Sequence, residues 1–155
     1  MTGRSVAIKD DGMILVSKCL TGECCRYDGR SSPDPEICAL VESGEAIAVC
    51  PEQLGGLPTP RVPAELTGSG ELVLEGKARA VTRDGRDVTA EFVKGAYEAL
   101  NAAREAGATR AILKGKSPSC GKGRIYDGGF CGRLTEGSGV CAALLMKNGI
   151  SVETR

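Results

Sequence analysis

Apolar residues gather in four short runs along the chain: Met13–Ser17, Glu45–Val49, Ala111–Lys114 and Ile150–Glu153. Each has the length of a buried strand. The stretches between them carry helical spacing. Ile37, Leu40 and Val41 recur within Pro33–Ser43, and Phe92, Ala96, Ala99, Leu100 and Ala103 form one stripe between Thr89 and Ala106. A third helix is expected from about Ser138 to Lys147. Thr89 reads as the N-cap of the long helix and Gly107 as its stop. Leu72, Val73, Leu74, Ala78, Ala80 and Val81, with Asp84-Gly85 after them, predict a peripheral hairpin. Pro51–Pro63 is too rich in proline and glycine for regular helix or a central strand. Short strands alternating with helices predict an α/β domain with an open, mostly parallel sheet flanked by helices. The expected organisation is one domain over residues 13–155 after a polar extension at 1–12, with Met13 a natural start.

The 155 residues suit a single core, and 22 glycines imply many tight turns. Twenty basic and twenty acidic residues cancel, so no overall field recruits a nucleic acid or an anionic membrane. No apolar run approaches the roughly 20 residues needed to span a bilayer, and the start lacks a secretory signal. These features predict a cytoplasmic protein in which thiols stay reduced. The oligomeric state leaves no mark in the sequence. Histidine is absent, which removes Ser-His-Asp and Cys-His nucleophiles and every His-liganded zinc site. Proton transfer must come from a carboxylate, Lys, Tyr, Cys, a hydroxyl or bound water.

Against that background, eight cysteines stand out. Cys19 follows the first apolar run, Cys50 follows the second, and Cys120 lies in the loop after the third. Parallel strands deliver such loops to one edge of an open sheet, where ligands bind. Three separated thiolates without C-x-x-C pairing favour an iron–sulfur cluster over structural zinc, and three ligands to a cubane leave one iron open. Three unrelated loop thiols are the plain alternative. Cys24 and Cys25 are substitutes for one ligand, Cys38 and Cys141 read as packing residues, and Cys131 fits either role.

The loops around these cysteines carry further chemistry. Arg26 lies among glycines and polar groups in the first loop. In the second, Gly55 and Gly56 allow close approach of backbone to a ligand, and Glu52 stands beside Cys50, where a carboxylate can activate water. The third loop, 114–124, combines glycines, Ser117, Ser119 and basic residues into a cradle for an anion or a polar heterocycle. Ser119 suits positioning of water or substrate, and Arg61, Lys116, Lys122 and Arg124 suit a phosphate. The start of the last helix is expected to face the same pocket.

Taken together, the segments Ile14–Gly22 with Arg26–Gly29, Cys50–Glu52 through Gly55–Pro58 and Pro60-Arg61, Leu113-Lys114 with Ser117–Gly121, and Tyr126–Gly128 resemble the thiouracil desulfidase family over about residues 13–155. Thr21 departs from that pattern, where a Leu is expected, and predicts a reshaped pocket rim. The resemblance implies a Rossmann-like domain with an oxygen-sensitive [4Fe-4S] cluster on Cys19, Cys50 and Cys120. It implies Glu52 and Ser117 as catalytic residues. It also implies non-redox, hydrolytic removal of sulfur from a small thiolated uracil base, nucleoside or nucleotide, such as 2-thiouracil or 4-thio-UMP. An iron–sulfur redox or cluster-carrier protein and a nonenzymatic zinc- or ligand-binding domain are the competing readings.

Overall fold

A computed structural model of the chain describes residues 12–22 and 26–155; Cys24, Cys25 and nearly all of the polar extension lie outside the described residues. Four strands, β1 (Ile14–Ser17), β2 (Ala46–Val49), β5 (Arg110–Leu113) and β8 (Ser151–Thr154), form one sheet in the order β2-β1-β5-β8. Every pairing is parallel, with Val16 opposite Ala48 on one side and Ile112 on the other. These are the four apolar runs of the sequence.

Both faces of the sheet are covered, which is why the strands read as continuous apolar runs. Leu15, Ala111, Leu113 and Val152 point to the larger core under helices α4 (Thr89–Ala106) and α5 (Val140–Lys147). Ile14, Val16 and Ile112 point to the opposite face, where Leu20 and Ile37 of helix α1 (Pro35–Glu42) close a smaller core. Asp34 caps α1 by accepting the N–H groups of Glu36 and Ile37. No helix of the described residues is long and apolar enough to cross a membrane.

The periphery differs from the sequence reading in three places. Residues 71–74 are not a strand: helix α3 (Gly70–Leu74) occupies them, capped by Ser69. The Asp84-Gly85 turn does form, with an isolated bridge between Val81 and Asp87, but β4 (Ala80–Thr82) pairs mainly with β3 (Ala64–Leu66). Leu66 and Val73 are both buried, so tertiary burial outweighs the local hairpin signal. Thr89 is the first helical residue of α4 rather than its cap; its Oγ1 accepts the N–H of Ala80 while Asp87 accepts the N–H of Thr89. Finally, the Pro51–Pro63 loop begins with a one-turn helix α2 (Pro51–Leu54), since proline is tolerated at the first helical position. Gly107 ends α4 in the left-handed conformation, as expected. A second small antiparallel pair, β6 (Arg124–Tyr126) with β7 (Leu134–Glu136), lies between β5 and α5.

Candidate active site

From β1 the chain passes to β2 on one side of the sheet, and it later returns to β5 on the other. The crevice beyond the carboxyl ends of such strands is the place for a ligand. A cavity of about 460 Å³ opens there. Cys19, Cys50 and Cys120 all line it, and each is supplied by the segment that leaves a different parallel strand. Cys19 sits on a 3-10 turn (Lys18–Thr21) that Gly22 ends in the left-handed conformation. Cys50 is the extended residue before α2. Cys120 is buried in the loop after β5.

Glu52 is held from two sides. Arg61 donates Nε to Oε1 at 2.8 Å, with the two side chains only 7% and 15% exposed. Ser119, itself buried, donates its hydroxyl to Oε2 at 3.3 Å. Arg61 is fixed in turn by the Pro58 carbonyl and Thr59 Oγ1. Two of the residues that sequence reasoning gave to substrate binding, Arg61 and Ser119, therefore reach the carboxylate beside Cys50; Arg61 also lines the cavity and Ser119 does not.

Ser117 lines the cavity and accepts the N–H groups of Ser119 and Cys120, each at 3.1 Å. With its acceptor capacity engaged, its one O–H is the donor that bonds the Cys120 sulfur. Ser17 accepts the N–H of Lys114 at 2.9 Å and ties β1 to the third loop. Burial pushes the Cys120 thiol up to about 12; hydrogen bonds with Ser17 and Ser117 pull it down, while charge on Cys50 and Glu52 pushes it up. Cys141, fully buried behind them on α5, is pushed up by burial and then by charge on Cys120 and Cys50. A buried thiolate at this position calls for a bound cation to offset its desolvation.

Other expected site residues are placed elsewhere. Gly55 packs on α4, where an added Cβ would stand 1.9 Å from the Glu91 carbonyl oxygen, so its small size serves helix docking rather than a ligand. Gly56, at φ 99°, does not line the cavity either. Thr21 does not line the cavity, and its hydroxyl turns back onto the Lys18 carbonyl at 2.7 Å. The first amides of α5 do not face the pocket, because Val140 bonds to the Pro118 carbonyl and Cys141 and Ala142 bond to that of Ser119. Lys122 reaches the Val152 carbonyl and Arg124 lies outside the cavity lining. Arg26 and Lys116 do line it, joined by Lys18, Arg83 and Lys114.

Sequence reasoning missed the outer wall. Glu65, on β3, accepts the N–H groups of Gly128 and Phe130 at 2.9 and 3.1 Å. Phe130 is held at φ 55°, a conformation that costs a non-glycine residue about 1–3 kcal/mol. Arg83 lies over its ring, 5.6 Å from the centroid. The available signal was the scarcity of aromatics: of three tyrosines and two phenylalanines, Tyr27, Tyr126 and Phe130 line this one cavity.

Comparison with known proteins agrees with the sequence resemblance. The family model described as 2-thiouracil desulfurase matches residues 14–155. The chain is 50% identical over 141 residues to "Uncharacterized protein YbbK" of Bacillus subtilis (strain 168), covering 90% of this chain and 93% of that protein. Among solved structures it is similar to the "[4Fe-4S]-dependent thiouracil desulfidase TudS (DUF523Vcz)", with a TM-score of 0.82, 46% identity, and coverage of 93% of this chain and 91% of that one. With a family match across nearly all of its length, the chain belongs to the 2-thiouracil desulfurase family.

Proposed function

We propose that the protein is a desulfidase that holds a [4Fe-4S] cluster on Cys19, Cys50 and Cys120 and hydrolyses thiolated uracil compounds to the oxo base and hydrogen sulfide. The observation that carries this reading is the convergence of three cysteines and a clamped carboxylate on one cavity. The donor set suits a cluster. Three thiolates on one zinc, at about 2.3 Å from it, must crowd together, whereas among the described residues no three Cys, Asp or Glu side chains are close enough to hold one metal ion. A cubane, with each thiolate on a different iron, tolerates wider separation and needs no fourth protein ligand. The family relationship and the similarity to TudS support the same group.

The cluster would supply an open, soft iron site that binds the thiocarbonyl sulfur and makes the ring carbon beside it more electrophilic. The chain's own residues then handle water and protons. Glu52, fixed at both oxygens, takes a proton from the water that attacks this carbon. Arg61 and Ser119 keep the carboxylate aimed rather than touching substrate. Ser117, whose oxygen accepts two backbone amides and whose O–H bonds the Cys120 sulfur, holds the third loop and this cysteine in position beside the reacting group. In the net reaction a carbon–oxygen bond replaces the carbon–sulfur bond, both water protons leave with the sulfur, and no electron is transferred. Arg26, Lys18, Lys114 and Lys116 around the cavity suit an anionic portion such as a 5′-phosphate.

Glu52→Gln is the direct test. It keeps the shape and the Arg61 contact but removes the base, so cluster content should match wild type while sulfide release falls by about a hundredfold or more. Wild-type turnover in that variant would overturn the assignment. Neither a redox shuttle nor a zinc-binding module requires a carboxylate locked beside the cysteines.

A further inference from the structure

The outer wall of the cavity is built with more care than a surface loop requires. Phe130 sits in a backbone conformation disfavoured for its side chain, and Glu65 secures it by accepting two amides of the same loop, Gly128 and Phe130. The loop closes on itself through Asp127, whose N–H bonds to the Arg133 carbonyl and whose Oδ1 accepts the N–H of Gly129. Arg83, from the turn after β4, covers one side of the Phe130 ring. Phe130 and Arg83 both line the cavity that the three cysteines and Glu52 share.

We propose that Phe130, held by Glu65 and backed by Arg83, is the platform on which the planar pyrimidine ring of the substrate stacks, and hence a specificity-determining residue. This rests on the desulfidase reading and adds the element that selects an aromatic ring over a saturated one. A π-face in a chain with so few aromatics, fixed by two hydrogen bonds and polarised by a guanidinium, recognises ring planarity rather than the pattern of exocyclic groups. Glu65 is a positioning residue that acts through the loop backbone.

The test is equilibrium binding to the cluster-loaded protein under nitrogen, using uracil and 5,6-dihydrouracil as probes. They share a hydrogen-bonding edge, but only uracil is conjugated and planar around the whole ring. Wild type should prefer uracil by about fivefold or more, the low end of a single base–aromatic stack. Phe130→Leu, apolar but without a π-face, should bring the two affinities within about twofold. Phe130→Trp should keep the preference, and because the chain has no other Trp its emission should change saturably with uracil. Glu65→Gln should weaken uracil binding while leaving cluster content unchanged. Equal affinities in wild type, or a preference retained in Phe130→Leu, would overturn the platform. Sulfide release is measured separately: ring discrimination without sulfide release would sink the desulfidase reading alone, and release with unchanged discrimination in Phe130→Leu would sink the platform alone.

Discussion

The catalytic side of the cavity depends on a helix crossing far tighter than side chains allow, and Gly95→Ala tests it. Gly95 on α4 faces the first residue of α2: a Cβ added there would stand 1.8 Å from the Pro51 carbonyl oxygen. To reach the ~3.3 Å at which carbon and oxygen come into contact, the helices must part by about 1.5 Å. Pro51 lies between Cys50 and Glu52, so the displacement falls on a proposed cluster ligand and on the proposed base together. Overpacking costs about 1–3 kcal/mol, and exchanging a mid-helix glycine for alanine returns about 1 kcal/mol. The net loss of stability is therefore about 0–2 kcal/mol, whereas a misplacement of about 1 Å costs about a hundredfold in rate. Urea denaturation, iron content and sulfide release per cluster would be measured side by side. The expected result is a folded protein with small loss of stability and turnover per cluster down by about a hundredfold. Turnover within threefold of wild type would refute the claim that this crossing sets the position of the base.

Arg61→Ala leaves Glu52 without its strongest partner and should lower kcat more than it raises KM in a steady-state assay; the reverse split would mark Arg61 as a substrate contact. Replacing Cys19, Cys50 or Cys120 with Ala should each lower iron bound per chain, read by iron analysis, whereas Cys38→Ala should leave it unchanged. Asp34 carries a pH prediction. Desolvation, the largest single influence, raises its pKa, but the Ile37 amide, the Arg155 guanidinium and the Glu36 amide together outweigh it and hold the carboxyl below its ordinary value of 3.8. A depressed carboxylate stabilises the fold fully above its unfolded value, and that contribution disappears as pH falls through the folded one. The Tm advantage of wild type over Asp34→Asn should thus be constant near neutrality and shrink below about pH 4.

The sheet was legible because its strands are buried on both faces, and burial on both faces writes itself as unbroken apolar runs such as Ile14–Val16 and Ala111–Leu113. Strand order followed less from sequence than the convergence of the loops did, since any parallel sheet sends Cys19, Cys50 and Cys120 to one edge. What failed was local. Residues 71–74 look strand-like in isolation and become helix because Ser69 caps them and Val73 is buried. The contacts of Arg61 and Ser119 to Glu52 were not legible, because a sequence gives the charge and the hydroxyl but not the partner, which lies 9 and 67 residues away; Arg61 also lines the cavity. Glu65 and Phe130 were invisible as a pair for the same reason, being 65 residues apart. Gly55 was assigned to a ligand when it serves a helix, since a glycine signals close approach without naming what approaches.

The central claim is that three strand-end cysteines hold a cluster whose open site serves a hydrolysis. The most direct measurement is anaerobic reconstitution with iron and sulfide, removal of excess sulfide, and assay of 2-thiouracil and 4-thio-UMP for sulfide release with no reductant present. The account predicts about four irons per chain and stoichiometric oxo base and sulfide over many turnovers. A fully loaded cluster that leaves both compounds intact, or releases sulfide only with an electron donor, would contradict it.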